Sequence, residues 1–193
     1  MLSSSTTSFT LVSIADAHCT GTVSGVAVVT VVVPQPVTLS TFAPVCSNAG
    51  LQTLSGGSPL GGSYTGTNVS AGKFDPSGGS QTITYTVVFA AGCSSRAAQV
   101  FTVNSLPTAA ISGSTSICPG DSATITVDFT GSAPYAFVYS NGVSNTTVNT
   151  ATDPYTFKVG PSATTTYSLV SITAGSCSGT VSGSAVVTIY TAP

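Results

Sequence analysis

The side chains able to do chemistry in this chain of 193 residues are few: five cysteines, one histidine, five aspartates and three basic residues, set among many hydroxyls. Acid–base or nucleophilic catalysis needs such groups assembled against one another, and no spacing here resembles a triad. His18 stands beside Cys19, but a second copy of the same stretch carries Ser176 at the matching position, so a role common to both copies is excluded. The chain therefore reads as no enzyme. Zinc is poorly served, with no Cys-x-x-Cys spacing and a single histidine. Asp121, Asp128 and Asp153 are the residues open to calcium, yet no Asp-x-Asp-x-Asp loop is present and turn or capping roles suit them better. No metal site and no cofactor are expected.

Charge narrows the partners. Lys73, Arg96 and Lys158 are scattered, and a polyanion partner needs clustered basic residues, so nucleic acid is excluded. The longest apolar run, Val26 to Val33, is interrupted by Thr30 and falls short of the roughly 20 residues of a membrane span, so no membrane insertion is expected. A glycan platform needs exposed aromatics. Most aromatics here alternate with hydroxyls and are expected to face a core, which leaves Tyr64 and Tyr190 for a weak glycan contact of unknown kind. Asn68-Val69-Ser70 and Asn145-Thr146-Thr147 are formal sequons, for which a solvated strand or turn is the default reading.

The organisation follows from an internal repeat. Ser4 to Thr30 and Ser162 to Thr188 agree without a gap at 17 of 27 positions and place Cys19 on Cys177. Valine, threonine, glycine and serine dominate, and no glutamate is present, a composition that suits pleated strands and turns. Residues 1–35 read as two strands, Thr7 to Ala15 and Gly21 to Val33, matching only the last part of the unit that ends the chain. Pro34-Gln35-Pro36 stops the valine run and makes a short stiff linker.

Residues 36–106 form a second unit. Strand-like pieces at Val37 to Phe42 and Leu51 to Leu54 precede turn signals at Gly56-Gly57-Ser58-Pro59 and Gly61-Gly62. In Gln81 to Ala90, Ile83, Tyr85, Val87 and Phe89 alternate with threonines, and Ala97 to Val103 closes the unit. Residues 107–193 form a third unit with about seven strands at the spacing of a β-sandwich. Ala123 to Phe129 alternates, Tyr135 to Tyr139 leads to the hairpin signal Asn141-Gly142, and Asp153-Pro154 opens a strand with Tyr155 and Phe157 on one face. Strands at Thr164 to Thr173 and Gly179 to Tyr190 complete it.

Within this frame the second unit holds Cys46 and Cys93 and the third holds Cys118 and Cys177, in comparable positions. The expected pairs are Cys46–Cys93 and Cys118–Cys177, leaving Cys19 unpaired; five buried free thiols are the alternative. Disulfides imply an oxidising, extracellular setting. Met1-Leu2-Ser3-Ser4 lacks a basic n-region and an apolar core, so any export signal is expected outside this chain.

Ile117-Cys118-Pro119-Gly120-Asp121-Ser122-Ala123-Thr124-Ile125-Thr126, Pro154-Tyr155-Thr156, Thr164-Thr165-Thr166-Tyr167 and Cys177-Ser178-Gly179-Thr180-Val181-Ser182-Gly183 resemble the immunoglobulin-like repeats of giant surface adhesins of Bacteroidetes, gliding-motility adhesins included. Gly61-Gly62-Ser63-Tyr64-Thr65-Gly66, Val69-Ser70, Gly72-Lys73-Phe74-Asp75-Pro76 and Thr82-Ile83-Thr84-Tyr85 resemble a second repeat type of the same proteins. The resemblance implies an all-β chain of tandem immunoglobulin-like antiparallel sandwiches, exported through a type IX system whose C-terminal sorting domain this chain lacks. It also implies a segment of a longer surface protein. Asp121-Ser122-Ala123 resembles the short O-glycosylation motif of that phylum, which marks Ser122. Chain and antibody domain differ in one respect: there is no tryptophan and no tyrosine two residues before the second cysteine.

The function these readings imply is a rigid stalk or fibre on the cell surface, whose partners are neighbouring repeats. A self-assembling filament built on the uncovered N-terminal hairpin, with other copies of itself as partners, is the first alternative. A weak glycan-binding module is the second.

Overall fold

The computed structural model describes residues 5–31, 35–89 and 92–190. Among them the regular structure is strand, with 3-10 conformation at Pro76–Gly78 and at Gly92, in keeping with the shortage of helix formers and the wealth of Val and Thr. Val32, Val33, Pro34 and Ala90, on which parts of the strand and linker expectations fall, lie outside the described residues.

The C-terminal sandwich is the largest body. Its strands are β15 (Thr108–Ser112), β16 (Thr115–Ile117), β17 (Ala123–Thr130), β18 (Tyr135–Ser140), β19 (Asn145–Thr150), β20 (Tyr155–Val159), β21 (Thr165–Ala174), β22 (Cys177–Ser178) and β23 (Thr180–Ile189), numbered in chain order. One layer holds β15, β17 and β20; the other holds β16, β23, β21, β18 and β19. The leading segment lies parallel to β23 twice, first through β15 and then through β16, so it serves both layers. All other pairings are antiparallel, and this switching first strand with crossovers between layers is an immunoglobulin-like arrangement.

Alternation fixes which residues fill the space between layers. In β17, Ala123, Ile125, Val127 and Phe129 are buried while Thr124, Asp128 and Thr130 are exposed. Phe137 is fully buried at the centre, with Phe129 and Tyr155 at ring-centroid distances of 5.3 and 5.6 Å. The Asn141-Gly142 signal is realised: Asn141 N donates to Ser144 O at 3.2 Å, and Gly142 adopts φ +86°, the left-handed region that glycine enters at least cost.

The middle unit comprises β5 (Thr38–Leu39), β6 (Val45–Cys46), β7 (Gln52–Thr53), β8 (Gly57–Ser58), β9 (Ser63–Thr65), β10 (Val69–Ser70), β11 (Lys73–Phe74), β12 (Gln81–Val88), β13 (Ser94–Phe101) and β14 (Val103–Asn104). Phe74, Ile83, Phe101 and Leu54 form one core and Tyr85, Leu39 and Val87 another. Tyr85 is the pin between backbone segments: its phenol accepts from Gly62 N at 2.8 Å and donates to Pro59 O at 2.7 Å. The segment expected as a simple turn at Gly56 to Pro59 instead contains β8, paired antiparallel to β5. A Cβ on Gly57 or Gly62 would overlap the Tyr85 ring; the missing side chains let the backbone close over that ring.

The N-terminal hairpin consists of β1 (Thr7–Thr10), β2 (Ile14–Ala15), β3 (Thr20–Gly21) and β4 (Val26–Val29). The repeat read from sequence is reproduced in register. Thr7 pairs with Val29 and Thr10 with Val26, as Thr165 pairs with Val187 and Ser168 with Ser184. Ala15 pairs with Thr20 as Thr173 pairs with Ser178. Burial is where the copies part: Phe9, Leu11, Ile14 and Val29 are exposed, while Tyr167, Leu169, Ile172 and Val187 are buried.

Candidate functional site: the junction between two units

The middle unit and the C-terminal sandwich meet at Leu106-Pro107, and a disulfide between Cys46 and Cys177 crosses that junction. Cys46 ends β6, which runs parallel to β14, the last strand of its unit: Val45 N donates to Thr102 O at 3.2 Å and Ser47 N to Asn104 O at 2.9 Å. Ala49 N donates to Cys46 O at 3.0 Å and closes a turn there. Cys46 is thus held at the trailing end of its unit, half-buried.

Cys177 lies in the hairpin between β21 and β23, opposite Ala174, and is fully buried. This hairpin sits beside the incoming chain, because Thr180 N donates to Pro107 O at 3.1 Å and β15 then runs along β23. Pro107 is fully buried and has no N–H to leave unpaired. Gly179 is required here: a Cβ on it would collide with the Pro107 carbonyl. A cleft of about 140 Å³ remains between Asn104 and Ser105 on one side and Ser132, Pro134, Ala174 and Gly175 on the other.

The pairs expected within units, Cys46–Cys93 and Cys118–Cys177, are not those of the structure; Cys46 is bonded to Cys177, and Cys19, Cys93 and Cys118 are free. Geometry gives the reason. Cys93 precedes β13 and Cys46 lies level with Asn104 beyond its far end, so eight strand residues, roughly 25 Å, intervene. Ile117, beside Cys118, pairs with Ile189 at the far end of β23 from Cys177, roughly 30 Å away. A disulfide bridges Cα atoms only about 4–7 Å apart. Both units place one cysteine at each end, so comparable positions within each unit are opposite ends of it.

The remaining polar candidates serve turns. Asp16 accepts from His18 N at 2.8 Å and Cys19 N at 2.7 Å, and these bonds hold its carboxyl below the usual range. Asp75 accepts from Ser77 N at 2.9 Å, with the same effect. Asp153 accepts from Phe129 N at 3.0 Å, tying the start of β20 to β17. Asp121 N closes a turn on Cys118 O at 3.1 Å, and Asp128 is exposed on β17. Among the described residues no three His, Cys, Asp or Glu side chains gather as a metal set. Ser122 is exposed beside that turn. Tyr64 is accounted for internally, accepting from Gly57 N at 2.9 Å and packing on Tyr85 at 4.8 Å, while Tyr190 is exposed. Among the described residues no helix is long and apolar enough to cross a membrane.

No family model matches the chain, and no curated protein matches it. Solved structures similar to it include the N-terminal four Ig domains of Dscam1 isoform 4.44, at 13% identity over 84% of this chain and 47% of that one, with a TM-score of 0.43. The I-band fragment I67-I69 from titin is 9% identical over 80% of this chain and 64% of that one, with a TM-score of 0.47. The chain thus spans less than two thirds of either structure. At these scores the likeness carries no weight for what the chain does.

Proposed function

We propose that the chain is a non-catalytic segment of a long extracellular surface protein, of the Bacteroidetes adhesin kind, and acts as a rigid stalk. Residues 1–35 are the last part of one repeat, 36–106 a repeat of a second type and 107–193 a complete repeat of the first type. The observation that carries this reading is the Cys46–Cys177 bond. A covalent tie across a junction, beside a buried proline and a glycine-tight contact, removes bending freedom between successive units. A disulfide also suits an oxidising compartment. Ser122 is the proposed O-glycan acceptor.

Small-angle scattering on the oxidised chain of 193 residues tests the stalk. An elongated profile that loses its fixed inter-unit distance on reduction is expected. A compact or unchanged profile, or saturable binding to one glycan on an array, contradicts it. A second reading, assembly through the N-terminal hairpin, is favoured by the exposure of Phe9, Leu11, Ile14 and Val29, whose counterparts are core. Light scattering of the full chain beside a version beginning at Pro36 separates the two, since only an assembly element makes oligomers that disappear with the hairpin.

A further inference from the structure

All five cysteines occupy one of two places. Cys46 and Cys118 lie at trailing ends, Cys46 as the last residue of, and Cys118 just after, a strand that runs parallel to the last strand of its unit, and each accepts at its carbonyl from an amide three residues on. Ser47 N reaches Asn104 O next to Cys46, and Tyr190 N reaches Ile117 O next to Cys118. Cys19, Cys93 and Cys177 lie at leading ends, in hairpin turns. Phe89 N donates to Cys93 O at 2.7 Å and Asp16 N to Cys19 O at 2.9 Å, while Cys177 pairs with Ala174. Phe89 shares a core with Val37, where the chain begins the middle unit, so Cys93 is at that unit's leading end as Cys177 is at the next.

The one bond present joins a trailing cysteine to the leading cysteine of the unit that follows. Cys118 is a trailing cysteine left free and exposed, and Cys93 is a leading cysteine left free and half-exposed. They stand at the far ends of two successive units, out of reach of each other within one molecule. The order of units supplies the match: the bond present runs from a second-type to a first-type unit, and these two thiols are what a first-type unit and a following second-type unit would offer.

We infer that Cys93 and Cys118 are halves of a second inter-unit disulfide, formed wherever a first-type unit precedes a second-type one: Cys93 bonds the Cys118 counterpart of a preceding unit, and Cys118 the Cys93 counterpart of a following unit. The staple then recurs at every junction. This rests on the tandem reading above. The bond forms by exchange with a small-molecule disulfide. The Cys118 thiolate attacks it and releases one thiolate, then the Cys93 thiolate attacks the Cys118 sulfur of the mixed disulfide and releases the second. The cysteines lose two protons and two electrons, and two small thiols are formed.

The register of the hairpin provides the test. Adding a copy of residues 107–161 ahead of Ser4 in the full chain completes the first unit, because Ser4 to Thr30 matches Ser162 to Thr188. The extended protein, oxidised in a glutathione buffer and mapped without reductant, is expected to link the added copy's Cys118 to Cys93 and to keep Cys46–Cys177, with Cys19 alkylated. Finding the added Cys118 bonded to Cys19, or Cys93 still alkylated, overturns the inference while leaving the stalk intact; losing Cys46–Cys177 overturns the stalk itself. Should the added segment stay protease-sensitive, oxidative cross-linking of the original chain decides. Cys118–Cys93 dimers are expected to exceed Cys118–Cys118 dimers by about tenfold, the ratio that ~1.4 kcal/mol of docking preference gives, and to vanish in Cys93→Ser but not in Cys19→Ser. Equal yields of all pairs overturn it.

Discussion

Replacing Cys46 with alanine removes the covalent tie while leaving Cys177 in its buried seat. The bond closes a chain separation of 131 residues, for which the loop-entropy relation gives about 5 kcal/mol of restraint on the unfolded chain. Cys46 is half-buried, so losing its sulfur as packing adds about 1 kcal/mol at most. For a chain of this size each kcal/mol moves the melting midpoint by roughly 2–4 °C, so Cys46→Ala is expected to melt about 10–20 °C below the parent. The assay is calorimetry in a background with Cys19, Cys93 and Cys118 changed to serine, which prevents exchange. Reducing the parent should bring its melt onto that of Cys46→Ala. If the two oxidised proteins melt within about 2 °C of each other while the parent's bond is intact, the units are already locked by packing and the reasoning fails.

Three further outcomes follow from the packing. Tyr85→Phe strips Gly62 N and Pro59 O of a partner and should cost about 2–4 kcal/mol in urea unfolding, with the C-terminal sandwich unaffected. Gly179→Ala forces the hairpin off Pro107 and breaks the Thr180–Pro107 bond; a loss of about 2–4 kcal/mol is expected from strain and the lost bond together, read as a lower denaturation midpoint and slower formation of the Cys46–Cys177 bond. Burial, and secondarily the nearby Tyr139 phenol, raise the Tyr167 hydroxyl above its ordinary value of 10.0. The unfolded chain therefore loses that proton first, so stability is full below about pH 10 and falls as pH rises through the folded value. Tyr167→Phe should flatten the decline in denaturation midpoint between about pH 9 and about pH 11.

Alternation made much of the fold readable. Gln81 to Val88 and Ala123 to Thr130 are strands with the expected faces buried, because period-two patterning and half-burial are the same constraint. Asn141-Gly142 marked a real hairpin for a local reason, the ease with which glycine takes positive φ. The repeat was legible down to the register of Thr7 against Val29. Short strands such as β8 and β16 were not, since what orders them is a distant ring or a parallel neighbour rather than their own two or three residues. The cysteine pairing was missed for a topological reason. Counting placed one pair in each unit, but nothing local in Cys46 or Cys93 says that their turns lie at opposite ends of an eight-residue strand. Parallel pairing of the leading segment with the last strand puts Cys46 at the trailing end, and that long-range fact decides the partner.

A covalent link between successive units is tested most directly by proteolysis of the alkylated, unreduced chain followed by mass spectrometry. One disulfide-linked peptide pair containing Cys46 and Cys177 is expected, with Cys19, Cys93 and Cys118 alkylated. Recovery of Cys46 linked to Cys93, or of Cys118 linked to Cys177, would return the staples to the interior of each unit and contradict it.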